Sequence, residues 1–76
     1  MKGGNKMIRQ PVQSSNINSV GFDSDDNTLQ IKFNSGGIYN YYNVPKRVYT
    51  TMLAAPSKGK YFHKNIKGKY KFTEII

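Results

Sequence analysis

Residues 29 to 33 run Leu-Gln-Ile-Lys-Phe, apolar at every second position, and lie between two clusters of turn-forming residues. A period of two puts Leu29, Ile31 and Phe33 on one face of a strand and Gln30 and Lys32 on the other. Upstream, the segment from Asp23 to Asn27 favours a turn, because Asp and Asn side chains bond their own backbone. Downstream, Asn34-Ser35-Gly36-Gly37 supplies glycines that take positive φ without steric cost. Val20 and Phe22 alternate with Ser19 and Gly21 before the first cluster. The aromatic-rich run from Ile38 to Tyr42, of a type that suits strands, follows the second. Three strands joined by two short turns make an antiparallel meander with one apolar face.

That face needs a cover. Pro45 suits the first position of a helix, where its missing N–H costs nothing. Val44, Val48 and Met52 then recur at helical spacing, and the helix ends before Pro56, since the residue preceding a proline avoids the α region. Ser57 is a good N-cap for a second helix. Phe62 and Ile66 sit one turn apart, and Gly68 is placed to end it. The run Lys69 to Ile76 alternates and is expected to be an extended segment or short edge strand. The expected fold is α+β: a three-stranded antiparallel meander packed against two short helices, with a possible short C-terminal edge strand. Residues 1–10 lack periodicity and are expected to be a flexible tail; residues 11–76 form a single domain.

Whether Tyr39 and Tyr41 face inward depends on the hairpin loop. A three-residue loop, Ser35 to Gly37, sets Tyr39 opposite Phe33 and Tyr41 opposite Ile31, both on the core face. A two- or four-residue loop buries Ile38 and Tyr42 instead and exposes Tyr39 and Tyr41 as a stacking platform. Inward tyrosines are favoured, because burying Asn40 would demand partners that the sequence does not name.

The chain has 76 residues and no cysteine, so no disulfide and no thiolate zinc site is expected. No stretch approaches a membrane span, and the charged N-terminus lacks a signal peptide's apolar block, so a soluble cytoplasmic protein is expected. Asp23, Asp25 and Asn27 imitate a calcium loop, but Thr28 stands where glycine is needed and Asn34 where a bidentate Glu is needed. His63 is the one histidine and Glu74 the one glutamate. Neither a catalytic set nor a metal site can be assembled from these parts, so no enzyme, metal or cofactor is expected.

Charge carries more information. Twelve Lys and Arg stand against four Asp and Glu, a net +8. Residues 46–76 hold eight of those cations and one acid. On a helix that begins after Ser57, Lys60, Lys64 and Lys67 form one stripe, away from Phe62 and Ile66. Helix N-termini usually carry acids, yet here Lys58 and Lys60 flank Gly59 in the first turn, where cations are unfavourable by about 0.3–1 kcal/mol each. A phosphate would reverse that penalty, taking backbone N–H bonds and the Ser57 hydroxyl while Gly59 allows close approach. This is not a Walker A loop, for Tyr61 follows Gly59-Lys60 where Ser or Thr belongs.

The runs SSNINSVGFD, LQIKF, GGIYNYYNVP with its Tyr39-x-Tyr41, and SKGKYFHKNIKGKY occur in that order between about Val12 and Tyr70. Together they resemble the KTSC domain, found at the C-terminus of some lysyl-tRNA synthetases and as short stand-alone bacterial and phage proteins. The resemblance implies no aminoacylation, since no synthetase catalytic sequence is present. RNA binding has been suggested for the family from the synthetase association. Tyr39, Tyr41 and the stretch from Ser57 through Tyr61 and Phe62 match its motif positions.

The expected function is therefore a non-enzymatic polyanion-binding module, with nucleic acid as partner and RNA slightly ahead of DNA. Ser57, Lys58, Gly59, Lys60, Lys64 and Lys67 would contact phosphates; Lys69, Lys71 and Arg47 would widen the patch; Tyr61, or Tyr39 and Tyr41 if exposed, would stack on bases. The alternatives are an adaptor for an acidic protein partner and a pocket for a small phosphorylated ligand.

Overall fold

Strand β2 (Ile17–Asp23) turns into β3 (Thr28–Phe33), which turns into β4 (Ile38–Tyr41), all antiparallel. The computed structural model describes residues 7–76. Each turn is built as its residues demand. The Asp23 carboxylate accepts the amide of Asp25 at 2.9 Å, and Asn27 adopts φ 54°. In the second turn Gly36 takes φ 109°, a value that only glycine adopts without strain.

The hairpin loop is three residues long but comprises Asn34, Ser35 and Gly36, because the Phe33 amide donates to the Gly37 carbonyl at 2.9 Å. Tyr39 therefore lies opposite Ile31 and Tyr41 opposite Leu29, not opposite Phe33 and Ile31 as expected. A shift of two residues preserves the faces, so both tyrosines stay on the core side. Asn40 turns outward and accepts a hydrogen bond from Gln30 Nε2 at 2.8 Å.

Among the described residues the sheet has five strands, the meander being flanked by β1 (Gln10–Pro11) on β2 and β5 (Phe72–Glu74) on β4, one more than the expected meander with its edge strand. Strand β5 (Phe72–Glu74) is the expected C-terminal edge strand and pairs with β4. Strand β1 (Gln10–Pro11), pairing with β2, was not expected. It is two residues long and contains a proline, tolerated at an edge but silent to any test of periodicity. The tail expected over residues 1–10 is thus docked where it is described. The Arg9 guanidinium donates to Ser19 Oγ at 3.2 Å and to Gln30 Oε1 at 2.5 Å across the outer face of the sheet. The backbone of Ile8 lies so close to Gly21 that a Cβ there would stand 2.9 Å from the Ile8 carbonyl oxygen. Residues 1–6 of that expected tail lie outside the described residues.

A bulge between Ile17 and Ser19 lets Ile17 and Val20, an odd number of residues apart, point into the same core. The inner face of the sheet contributes Ile17, Val20, Leu29, Ile31 and Tyr41, all at most 5% exposed. Helix α1 (Lys46–Ala54) lays Val48 and Met52 on it, and helix α2 (Lys58–Asn65) adds Phe62. Val44 and Ile66, which flank the helices, are completely buried. Pro45 is the N-cap of α1 rather than its first residue. Helix α2 ends at Asn65 with Ile66 as its C-cap, short of the expected stop at Gly68, which takes φ 77° in the turn beyond it.

Candidate functional site

Two adjoining clefts open on the side where α2 meets the sheet. The first is polar, about 370 Å³, and lies at the start of α2. Ser57 holds an extended conformation and its Oγ accepts the Lys60 amide at 3.3 Å, as an N-cap does. The amides of Lys58 and Gly59 find no hydrogen-bond partner among the described residues. The facing wall is the segment from Gln13 to Asn16. Ser14 Oγ shapes it by accepting the amides of Asn16 and Ile17 at 3.2 and 3.1 Å. Asn34 pins it to the hairpin loop, donating from Nδ2 to the carbonyls of Ser14 and Ser15. A Cβ on Gly59 would come within 3.4 Å of Asn16 Nδ2, so the glycine lets the helix start approach this wall.

The second cleft is an open groove of about 1190 Å³ with an aromatic floor. Phe33, Tyr39, Tyr41, Phe62 and Phe72 form one continuous set of rings, each neighbouring pair 5.4 to 6.4 Å apart. Period two places them there: Tyr39 and Tyr41 share a face of β4, and Phe72 lies opposite Tyr41 on β5. Tyr41 is only 5% exposed, and its burial, together with the neighbouring Tyr39, pushes its hydroxyl pKa up to about 12. Phe72 is 57% exposed and forms the outer wall. His63 and Lys67 line the α2 bank, and Glu74 lines the β5 bank. Ser15, Asn16 and His63 line both clefts, which therefore form one continuous surface.

The residues singled out in the sequence are distributed unevenly over this surface. Ser57, Lys58, Gly59 and Lys60 line the polar cleft, and Tyr39, Tyr41 and Lys67 the aromatic groove. Lys64 is exposed on α2 and lines neither. The Lys58 ammonium donates to the Ala55 carbonyl at 2.8 Å, so this lysine ties α2 to the end of α1. Tyr61 is half-buried against the core rather than presented as a platform. Lys69 and Lys71, exposed in the connection to β5, and Arg47, exposed in the first turn of α1, line neither cleft.

Sequence reasoning missed the wall from Gln13 to Asn16, the shared position of His63, and the groove-lining roles of Phe33, Phe62 and Phe72. The parity of Phe72 with Glu74 was available as a signal, but not its register against β4. Phe33 and Phe62 sit at positions that equally describe a core.

Known proteins resemble this chain over most of its length. The KTSC domain model matches residues 13–70. The chain is 43% identical over 63 residues to a lysine–tRNA ligase of Trichormus variabilis, covering 83% of this chain. It spans only 11% of that ligase's length. It is 37% identical over 66 residues to a protein of Tsukamurella paurometabola, covering 87% of this chain and 98% of that one. The crystal structure of a KTSC domain protein from Yersinia pestis superposes with a TM-score of 0.90 at 44% identity, covering 93% of this chain and all of that one. Sequence and fold agree along most of their length, and the chain belongs to the KTSC domain family.

Proposed function

We propose that this protein is a nucleic-acid-binding module without catalytic activity, which engages phosphates through the exposed lysines of α2 and the residue that follows it. The observation that carries the reading is the composition of that surface. Helix α2 and its C-terminal extension carry Lys60, Lys64 and Lys67, all exposed, and α2 contains no acidic residue. Solvated helix faces ordinarily mix signs to gain i, i+4 pairs, so an all-cationic face, two of whose three lysines line the clefts, favours an anionic partner. His63 stands exposed among the lysines. The open amides of Lys58 and Gly59 offer donors at the positive end of the helix dipole. RNA stands ahead of DNA in this reading because the chain resembles a stretch of a lysine–tRNA ligase, and a cytoplasmic setting fits such a partner.

An electrophoretic shift against RNA, single-stranded DNA and duplex DNA tests the reading. The double variant Lys60→Glu with Lys64→Glu should abolish the shift while the circular dichroism spectrum stays unchanged. Retention of the full shift by that variant would refute the role of α2. A small phosphorylated ligand is the second reading, favoured by the size of the polar cleft, about 370 Å³. Thermal stabilisation by a mononucleotide, with none by oligonucleotides, would support it over the first.

A further inference from the structure

We infer that the aromatic groove is a base-binding site for single-stranded nucleic acid. Unpaired bases stack over Phe72 and Tyr39 while the sugar–phosphate chain follows Lys67, His63 and Lys60. This rests on the polyanion reading and adds what lysines alone do not specify, a requirement for exposed base faces.

Four features lead there. The groove is large and open, and its floor is a continuous set of rings that the core does not fully cover. Phe72 is 57% exposed on a strand whose three residues are all exposed, so this ring offers a face to solvent beside Tyr39, 5.8 Å away. Charge is split across the opening: Lys67 stands beside His63 on one bank, and Glu74 is the one acidic side chain among the described residues that line it. An anionic chain is drawn to the α2 bank, and an apolar moiety to the rings. The groove also runs into the polar cleft through Ser15, Asn16 and His63, so a base and its neighbouring phosphate can be held together.

That combination fits unpaired nucleotides. Bases in a duplex already stack on one another, and their faces are closed to a protein ring; unstacked bases accept an aromatic partner whatever their identity. A purely apolar partner would leave the cationic bank without a role, and a pure polyanion would leave the rings exposed to water. The net +8 of the whole chain favours the ligand that uses both.

The test titrates the full chain with fluorescein-labelled oligouridylate of about a dozen nucleotides, a length within the common site sizes for single strands. The same oligomer annealed to its complement, and inorganic polyphosphate, serve as comparators. Phe72→Ala and Tyr39→Leu should each weaken oligouridylate binding about 10-fold, the scale of one lost stacking contact. Polyphosphate binding should not change, and the duplex should bind the wild type more weakly than the single strand. Aromatic ring-proton resonances of Tyr39 and Phe72 in the wild type should move upfield with oligouridylate and stay in place with polyphosphate. This readout stands even if Tyr39→Leu fails to fold. If the ring variants bind oligouridylate like the wild type and the resonances stay put, the groove inference is overturned. If Lys60→Glu with Lys64→Glu then abolishes binding, the lysine reading survives without it. Should the charge variant leave binding intact while the ring variants lose it, the lysine reading falls and the groove stands.

Discussion

The surroundings of Tyr41 and Gly21 restrict what can replace them. Burial pushes the Tyr41 hydroxyl up to about 12, above its ordinary value of 10.0. The unfolded chain therefore ionises this tyrosine first. The neutral ring's contribution to stability is complete below pH about 10 and is lost as pH rises towards about 12. Tyr41→Phe should remove that part of the alkaline loss of stability, measured as the midpoint of urea unfolding between pH 9 and 12, while leaving the neutral-pH midpoint nearly unchanged. Gly21→Ala should destabilise by about 1–3 kcal/mol through overpacking, because the new methyl meets the Ile8 carbonyl at 2.9 Å. Chemical denaturation of the two proteins checks it. The sequence supports a strand at Gly21, since alternation runs through it, but not the segment that crosses it. That segment has no period of its own and is held by Arg9 on Ser19 and Gln30. The tyrosine faces were legible only as a choice of parity. Turn length decides it, and the hydrogen bond of Phe33 to Gly37 fixes that length.

At the level of elements, α2 has a stability role beside the binding role proposed for it, and substitutions can separate the two. Ser57→Ala removes the side-chain cap on Lys60 and should cost about 0.5–2 kcal/mol, nearer the lower value because the bond is 3.3 Å long. Thermal unfolding measures this cost. Replacing Lys60 and Lys64 should leave stability within about 0.5 kcal/mol, as exposed sites do, while removing binding. Both helices were readable because each carries punctuation: Pro45 and Pro56 around α1, Ser57 before α2. The early end of α2 was not, because the Ile66 amide still bonds the Phe62 carbonyl while the chain already leaves the helix. Strand β5 was expected from alternation alone. Strand β1 was not, being short and anchored by β2 rather than by its own pattern. The polar cleft depends on the segment from Gln13 to Asn16, which Ser14 shapes locally but which only Asn34, distant in sequence, pins in place.

The molecule as a whole pairs a small core with a large excess of positive charge. The core draws on both helices and all three central strands, so truncation of one of its central side chains is felt throughout. Met52, fully buried beneath α1, should cost about 2–5 kcal/mol on replacement by alanine. That change should reduce nucleic-acid binding only by unfolding the protein. The fold class was legible because alternation, turn clusters and caps all agree on one arrangement. The candidate site was half legible: charge indicated α2, whereas the aromatic groove is created by the register of β4 and β5 and by the packing of Phe62 against Phe33 and Tyr41. The most direct test of the account is the salt dependence of single-stranded RNA affinity, followed by fluorescence anisotropy. Three phosphate contacts, from Lys60, Lys64 and Lys67, predict a log–log slope of about −2 against salt concentration. Lys60→Glu with Lys64→Glu should remove measurable binding at every salt concentration. Affinity that does not change with salt, or no binding at the lowest salt, would contradict the account.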